Sequence, residues 1–371
     1  MRVAVVAGAR PNFMKVAPLL MALERADIDS MLVHTGQHYD RNMSEVFFED
    51  LGIRRPDVNF EVGHCGQSEQ TGRIMVAFES WLDTCPVDAV LVAGDVTSTL
   101  ACAIVAAKRC IPVGHVEAGL RSFDRSMPEE VNRVVVDALS TWLFTPSADG
   151  DAELRAEGVE NARIHRVGNI MVDCLFNSLD RARNRATARS LGVVGSYCLA
   201  TLHRPALVDD PDRIGPVLDA LGTLAVELPI VFPVHPRTRA RLREFGLERR
   251  LGAFVVSEPL GYLDFLSLES GASLVLTDSG GVQEETTALG VPCLTLRENT
   301  ERPVTIFEGT NQLVGLDGRR ILEAALRTLA RPPIPRRPDL WDGHAADRIV
   351  AVLRDGVPEL TWRPPVLIGA A

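Results

Sequence analysis

Between His115 and Arg133 the chain crowds the carboxylates Glu117, Glu129 and Glu130 and the guanidiniums Arg121 and Arg133 into a stretch that begins where an apolar run ends. Ile111 to Gly114 are apolar or small and read as a buried strand, while Pro128 followed by Glu129 and Glu130 is a good helix start. Charge at the carboxyl end of a parallel strand lies where open α/β sheets bind ligands. Acidic residues in a first helical turn also complement the helix dipole, which is a sufficient account of Glu129 or Glu130 taken singly. Glu117 directly follows a strand and precedes Gly119, so it is the stronger candidate for chemistry.

Similar clusters recur. The apolar run from Ala89 ends in Gly94-Asp95, and Val96 to Thr99 opens a helix. Position alone leaves Asp95 open between helix capping and chemistry, and its place at the same sheet edge as Glu117 favours chemistry. The first strand empties into Gly8-Ala9-Arg10-Pro11 with Lys15 on the helix beyond, and it lacks the G-x-G-x-x-G of a dinucleotide site. Arg10 with Lys15 suits an anionic ligand such as phosphate; Lys15 by itself would read as a surface lysine. In the second half, Leu274 to Thr277 run into Asp278-Ser279-Gly280-Gly281 and a helix. There the glycines admit close backbone approach and the free N–H groups attract anions. Glu285 is placed either to accept hydrogen bonds from a ribose or to be an ordinary surface glutamate; Arg302 nearby in type suggests a nucleotide diphosphate. His203 and His235 each follow an apolar strand, where acid/base, phosphate-binding and plain loop roles are all open.

Elements that would position these residues alternate along the chain. Strands are predicted near 2–7, 30–35, 88–93, 111–116, 142–145 and 164–167, then again at 197–201, 229–234, 253–256, 274–277 and 292–296, with amphipathic segments between them. This is the βαβ pattern of parallel sheets, given twice. The boundaries are set at 1–170 for a first domain, 171–340 for a second, and 341–371 for a helix and tail that return to the first, with a helix near 171–190 bridging the halves. Residues 331–339 carry four prolines and read as a linker, Ala345 to Leu353 as a last helix, and the segment from Pro358 as a loose end.

A length of 371 residues fits about two domains, and 46% hydrophobic with 24% charged residues excludes disordered and fibrous classes. A net charge of −10 argues against nucleic acid. The seven cysteines show neither C-x-x-C nor Cys/His metal-ligand spacing, so a reducing, cytoplasmic location and no metal or cofactor are expected. The amino terminus reads as a strand rather than a signal peptide, and no apolar run approaches the roughly 18 residues of a membrane span.

Taken together the motifs resemble those of the non-hydrolysing UDP-N-acetylglucosamine 2-epimerases, from the first strand to about residue 330. They stand as Gly8-Ala-Arg10-Pro with Lys15, Thr35-Gly-Gln37-His38, Gly94-Asp95, His115-Val-Glu117-Ala-Gly-Leu-Arg121, Pro128-Glu129-Glu130-Val-Asn-Arg133, Val167-Gly-Asn169, Leu202-His203-Arg204, Thr277-Asp-Ser-Gly-Gly281-Val-Gln-Glu-Glu285 and Glu301-Arg302-Pro303. The resemblance implies two Rossmann-like domains facing across a cleft, a glycosyltransferase-B-like α/β fold, usually as a homodimer. It also implies elimination of UDP from the sugar to give a 2-acetamidoglucal, and re-addition of UDP as a proton returns to the opposite face of C2. On that basis Asp95, Glu117 and Glu129 are the acid/base set and His203 supports them, with Glu130 the less favoured of its pair. Arg10, Lys15, Ser279, Gly280, Gly281, Glu285 and Arg302 would hold the nucleotide diphosphate, and Phe265 would line the uracil pocket. Gln37, Arg73, Arg204 and His235 are similar to residues that bind a second, activating UDP-sugar in bacterial members. The chain departs from the pattern at Pro205-Ala206-Leu207, where many members have Glu-Asn, at Val96 in place of threonine, and at Asp40 in place of glutamine. Epimerases of a 2,3-diacetamido uronic acid sugar, hydrolysing epimerases and glycosyltransferases of the same shape are the alternatives.

Overall fold

The computed structural model describes residues 1–37, 48 and 50–356, apart from the side chains of Arg10 and Pro11. His38, Asp40 and the tail beyond residue 356 therefore lie outside the described residues.

Two all-parallel sheets share one topology. The first contains β1 (Arg2–Ala7), β2 (Asp29–His34), β3 (Val58–Asn59), β4 (Ala89–Ala93), β5 (Val113–Val116), β6 (Trp142–Thr145) and β7 (Ile164–Arg166), in the order β3-β2-β1-β4-β5-β6-β7. The second contains β8 (Cys198–Thr201), β9 (Ile230–Pro233), β10 (Val255–Ser257), β11 (Leu274–Thr277), β12 (Cys293–Thr295) and β13 (Asn311–Leu313), in the order β10-β9-β8-β11-β12-β13. Val5 pairs with Leu91 and Ala200 with Leu276, so the strand order reverses between β1 and β4 and again between β8 and β11. A ligand crevice opens at such a reversal. The central strands β4, β5, β6, β9 and β11 are buried at every position. That follows from helices covering both faces and explains why these strands read as continuous apolar runs.

The sequence pattern omits β3 and β13. Both are short edge strands, Val58-Asn59 and Asn311-Gln312-Leu313, with too few apolar residues to register as strands.

The helix Ile170–Arg185 carries the chain from one sheet to the other. Asn169 caps it by accepting a hydrogen bond from the Met171 amide at 2.9 Å, and it packs on Arg10–Arg25 of the first half and on Tyr262–Gly271 of the second. The linker then returns the chain to the first half, where the buried Trp341 indole donates to the Pro146 carbonyl at 2.9 Å. Asp173 accepts from the amides of Ala345 and Ala346 at 3.0 and 2.8 Å, satisfying the start of the last helix, Ala345–Arg354. Removing the Trp341 side chain is expected to cost about 3–5 kcal/mol and to free this helix.

Candidate active site

At the first sheet's crevice, Gly94 and Asp95 turn the chain out of β4. Gly94 has φ +67°, and a Cβ there would come within 2.6 Å of the Lys15 ammonium, so glycine is needed both for the turn and for the lysine. Asn12 fixes the neighbouring loops by accepting from the Gly8 and Ala9 amides and donating to the Ala93 carbonyl at 2.9 Å. Val96, not Asp95, stands at the N-cap position of the helix Thr97–Lys108, and no side chain caps it. The Asp95 carboxylate instead meets Arg133, at 3.0 Å to Nε and 2.7 Å to a terminal nitrogen, while Asn132 holds its carbonyl at 2.7 Å. Burial alone would raise the Asp95 pKa; Lys15, Arg133 and Arg302 outweigh it and hold the carboxyl below the usual range.

Glu117 leaves β5 with φ +71°, a left-handed conformation that costs a non-glycine residue on the order of 1–3 kcal/mol. Its amide and that of Ala118 both donate to the Phe144 carbonyl at 3.1 Å, which holds the turn. The buried carboxylate pairs with Lys15 through Oε2, while Oε1 is buried with no hydrogen-bond partner. Strain and an unpaired acceptor coincide at one residue, a mark of function. Behind it, His115 is fully buried between Asp137 at 2.6 Å and the Gly94 carbonyl at 2.9 Å, tying β5 to the Asp95 turn.

The adjacent glutamates on the helix Pro128–Leu139 separate. Glu130 is buried, accepts from the Ser122 and Phe123 amides at 2.9 Å each, and meets Arg133 at 2.5 Å. Burial works against its ionised form, but those N–H groups and Arg133 keep its pKa low. Glu129 is exposed on the same turn, without a hydrogen-bond partner among the described residues.

At the second sheet, Ser279 precedes the helix Gly280–Leu289 and makes no side-chain cap, and a Cβ on Gly281 would meet nothing within 4 Å. The helix N-terminus is thus open to an anion. Asp278, fully buried, accepts from the amides of His203 and Arg204, each at 2.8 Å, and lies 3.1 Å from His203 Nδ1. It positions both residues at the end of β8. Motif reading passed over Asp278 as a turn residue, although a carboxylate directly after a buried strand is the signal that singled out Asp95 and Glu117. His203 lies 5.7 Å, ring to ring, from His235, whose Nδ1 accepts from the Arg237 amide at 3.2 Å. Arg204 lies 3.5 Å from Glu301, with its Nε buried and lacking a hydrogen bond.

Arg302 contacts Glu284 at 2.8 Å, although its N–H is not aligned on the oxygen, and the Asn169 amide donates to the same Glu284 oxygen at 2.9 Å. Burial pushes Glu284 up to about 7 despite Arg302, with Glu117 raising it further. Burial likewise pushes Glu285 up to about 7. Arg302 acts on Asp95 and Glu117, and Lys15 acts on Glu284, so the strand ends of the two sheets face each other at interaction distance. Gln37 is buried and accepts from the Ser98 amide and hydroxyl at 3.2 and 2.8 Å. Arg73 is exposed and paired with Glu69 at 2.5 Å, and Phe265 is half-buried against the apolar cluster that includes Val193 and Tyr197. The backbone of Arg10 opens the first helix, while its side chain lies outside the described residues. Among the described residues, no group of three or more His, Cys, Asp or Glu is arranged to hold a metal ion, and no helix is long and apolar enough to cross a membrane.

Two parallel sheets of one topology, with charged strand ends turned toward each other, define an α/β enzyme of glycosyltransferase-B-like architecture. The model of the UDP-N-acetylglucosamine 2-epimerase family matches residues 21–354. A UDP-N-acetylglucosamine 2-epimerase of Methanocaldococcus jannaschii is 41% identical over 365 residues, covering 96% of this chain and 100% of that one. A crystal structure of the epimerase from that organism, in complex with UDP-GlcNAc and UDP, matches with a TM-score of 0.87 over 96% of this chain and 100% of that one. A UDP-2,3-diacetamido-2,3-dideoxy-D-glucuronate 2-epimerase of Pseudomonas aeruginosa is 38% identical, covering 95% of this chain and 99% of that one. The chain belongs to the UDP-N-acetylglucosamine 2-epimerase family and is an isomerase.

Proposed function

We propose that this enzyme interconverts UDP-N-acetylglucosamine and UDP-N-acetylmannosamine, working in the cytoplasm as a homodimer. The observation that carries the proposal is the opposition of ionised carboxylates at one sheet edge to an anion-ready loop and Arg302 at the other. A base takes the C2 proton, the C–H electron pair forms the C1–C2 double bond of 2-acetamidoglucal, and UDP leaves C1 with the bonding pair. A proton then returns to the opposite face of C2 as a UDP oxygen attacks C1, so there is no net redox change. Two faces require two acid/base groups, for which Asp95, Glu117 and Glu129 are assigned, with His203 supporting them from the other wall. The unpaired Oε1 of Glu117 favours a proton-handling role for that residue.

Arg10, Lys15, Ser279, Gly280, Gly281 and Arg302 are assigned to the diphosphate, Glu285 to the ribose and Phe265 to the uracil. Gln37, Arg73, Arg204 and His235 are assigned to a second UDP-sugar, a proposal supported by the relative crystallised with both UDP-GlcNAc and UDP. Domain limits of 1–170 and 171–340, with 341–371 returning to the first domain, accord with the two sheets and the docking of Ala345–Arg354. A second reading, 2-epimerisation of a 2,3-diacetamido uronic acid sugar, is favoured by the Pseudomonas aeruginosa relative. Incubation with each nucleotide sugar alone in deuterated water tests both: deuterium at C2 identifies the substrate, release of free sugar would identify hydrolysis, and an unlabelled, unchanged panel would sink epimerisation.

A further inference from the structure

Behind the nucleotide loop sits a second carboxylate that the reaction does not use. Glu269, on the helix Tyr262–Gly271, is fully buried, and neither of its oxygens has a hydrogen-bond donor. Glu285 keeps 5% of its surface exposed, and its Oε1 is likewise buried without a donor. The helices that carry them pack together, and each carboxyl acts on the other as a hydrogen-bond partner. Two carboxylates supply only acceptors, so this contact is satisfied only when one of them carries a proton.

The surroundings supply one donor, the Tyr262 hydroxyl on Glu285, and none for the contact between the two carboxyls. Facing the pair are Tyr262 on the helix of Glu269, Glu284 on the helix of Glu285, Cys174 on the helix Ile170–Arg185, and Cys293 on β12. None is a cation, and Arg302 is engaged with Glu284. Glu269 also lies in the last turn of its helix, where the dipole disfavours negative charge.

We propose that Glu269 is a positioning residue for the nucleotide: it shares one proton with Glu285, and that proton fixes the Glu285 carboxyl in the orientation that receives the ribose. The inference rests on the assignment of Glu285 to the ribose. In support, burial first and then the neighbouring carboxyl hold Glu269 far above the usual carboxylate range. The sign follows: the raised pKa keeps the shared proton on the acid side, and it is lost as the pH rises, leaving two repelling anions and a weakened site.

The test is UDP affinity measured by calorimetry between about pH 6 and 9, a span around the value of about 7 to which Glu285 is pushed. Wild-type affinity is expected to fall with pH by up to about tenfold per unit once the proton is lost. In Glu269→Gln the amide N–H replaces the shared proton, so affinity stays near wild type at low pH and flat across the range. Ionisation of UDP itself acts on both proteins alike, so the difference between profiles is the readout. Glu269→Leu is expected to raise the UDP Kd and the sugar-nucleotide KM by about tenfold, the loss of one charge-assisted bond, with little change in kcat. Parallel pH profiles for wild type and Glu269→Gln would overturn the proposal, as would wild-type affinity in Glu269→Leu; if the leucine variant does not fold, the glutamine comparison decides. Deuterium exchange run alongside distinguishes the failures. A wild type that neither binds UDP nor exchanges sinks the epimerase proposal, whereas exchange with parallel profiles sinks only the role of Glu269.

Discussion

The strand ends of the two sheets have the same topology and hold their buried carboxyls in different ways. At the first, each of three carboxylates has a cation: Glu117 has Lys15, and Asp95 and Glu130 share Arg133. At the second, Glu284 has Arg302 but is still pushed up to about 7, and no cation acts on Glu285 or Glu269. Burial raises carboxyl pKa values on both sides, so the placement of lysine and arginine decides which carboxyls are anions and which hold protons; at the second wall Glu301, beside Arg302, Arg297 and Arg204, is held low. An ionised wall is suited to take a proton from carbon. The raised, proton-holding group of Glu284, Glu285 and Glu269 is suited to hydrogen-bond hydroxyl groups without repelling a diphosphate.

The largest effect that divides the walls is expected in Asp95→Asn and Glu117→Gln. Each keeps its shape and loses its basicity, so C2 exchange should fall by about 10²–10⁴-fold, the usual worth of a positioned acid or base. UDP affinity, measured by calorimetry, should change little. Full exchange in either variant would refute its role, and a loss of UDP affinity matching the loss of rate would move that residue into the binding set.

How much of this contrast could be read in advance depended on where each side chain's partner lay in the chain. Asp95, Glu117 and Ser279 stand next to apolar runs, so their position at strand ends was legible from local pattern. The partner of Asp95 is Arg133, 38 residues away, and that of Glu117 is Lys15, 102 residues away. No local pattern reports such pairs. Glu285 looked as much like a surface glutamate as a ribose ligand, because its burial is created by the helix Tyr262–Gly271 and by Cys174 from the bridging helix. Glu129 and Glu130 were alike in sequence and differ in structure because helical rotation turns one to solvent and the other onto the Ser122 and Phe123 amides.

A smaller effect is expected in the second wall from Asp278→Asn. The native carboxylate accepts from both amides through one oxygen and faces His203 Nδ1 with the other, whereas an amide side chain has one oxygen for these two roles and leaves one group without its acceptor when Nδ1 carries the proton. Leaving a buried donor unpaired costs about 1–3 kcal/mol. Thermal unfolding should register that loss, and exchange should fall by roughly tenfold as His203 and Arg204 lose their shared anchor. Unchanged stability and rate would mean that β8 positions His203 without Asp278.

The smallest effect should come from adding one methyl group to each wall's glycine turn. At Gly94 the left-handed backbone and the nearby Lys15 ammonium set the requirement, so Gly94→Ala should destabilise the folded protein by about 1–2 kcal/mol even without ligand. At Gly281 a Cβ meets no protein atom within 4 Å and lies inside a helix, where alanine is favoured over glycine by roughly 0.8–1.0 kcal/mol. The fold alone would therefore prefer alanine there. If the missing methyl serves the diphosphate, Gly281→Ala should melt at a temperature equal to or above that of wild type while its UDP affinity falls several-fold, a loss on the order of 1 kcal/mol. Wild-type affinity in a more stable Gly281→Ala would show that the ligand does not approach this turn, and the anion site would then have to be carried by Ser279, Gly280 and Arg302.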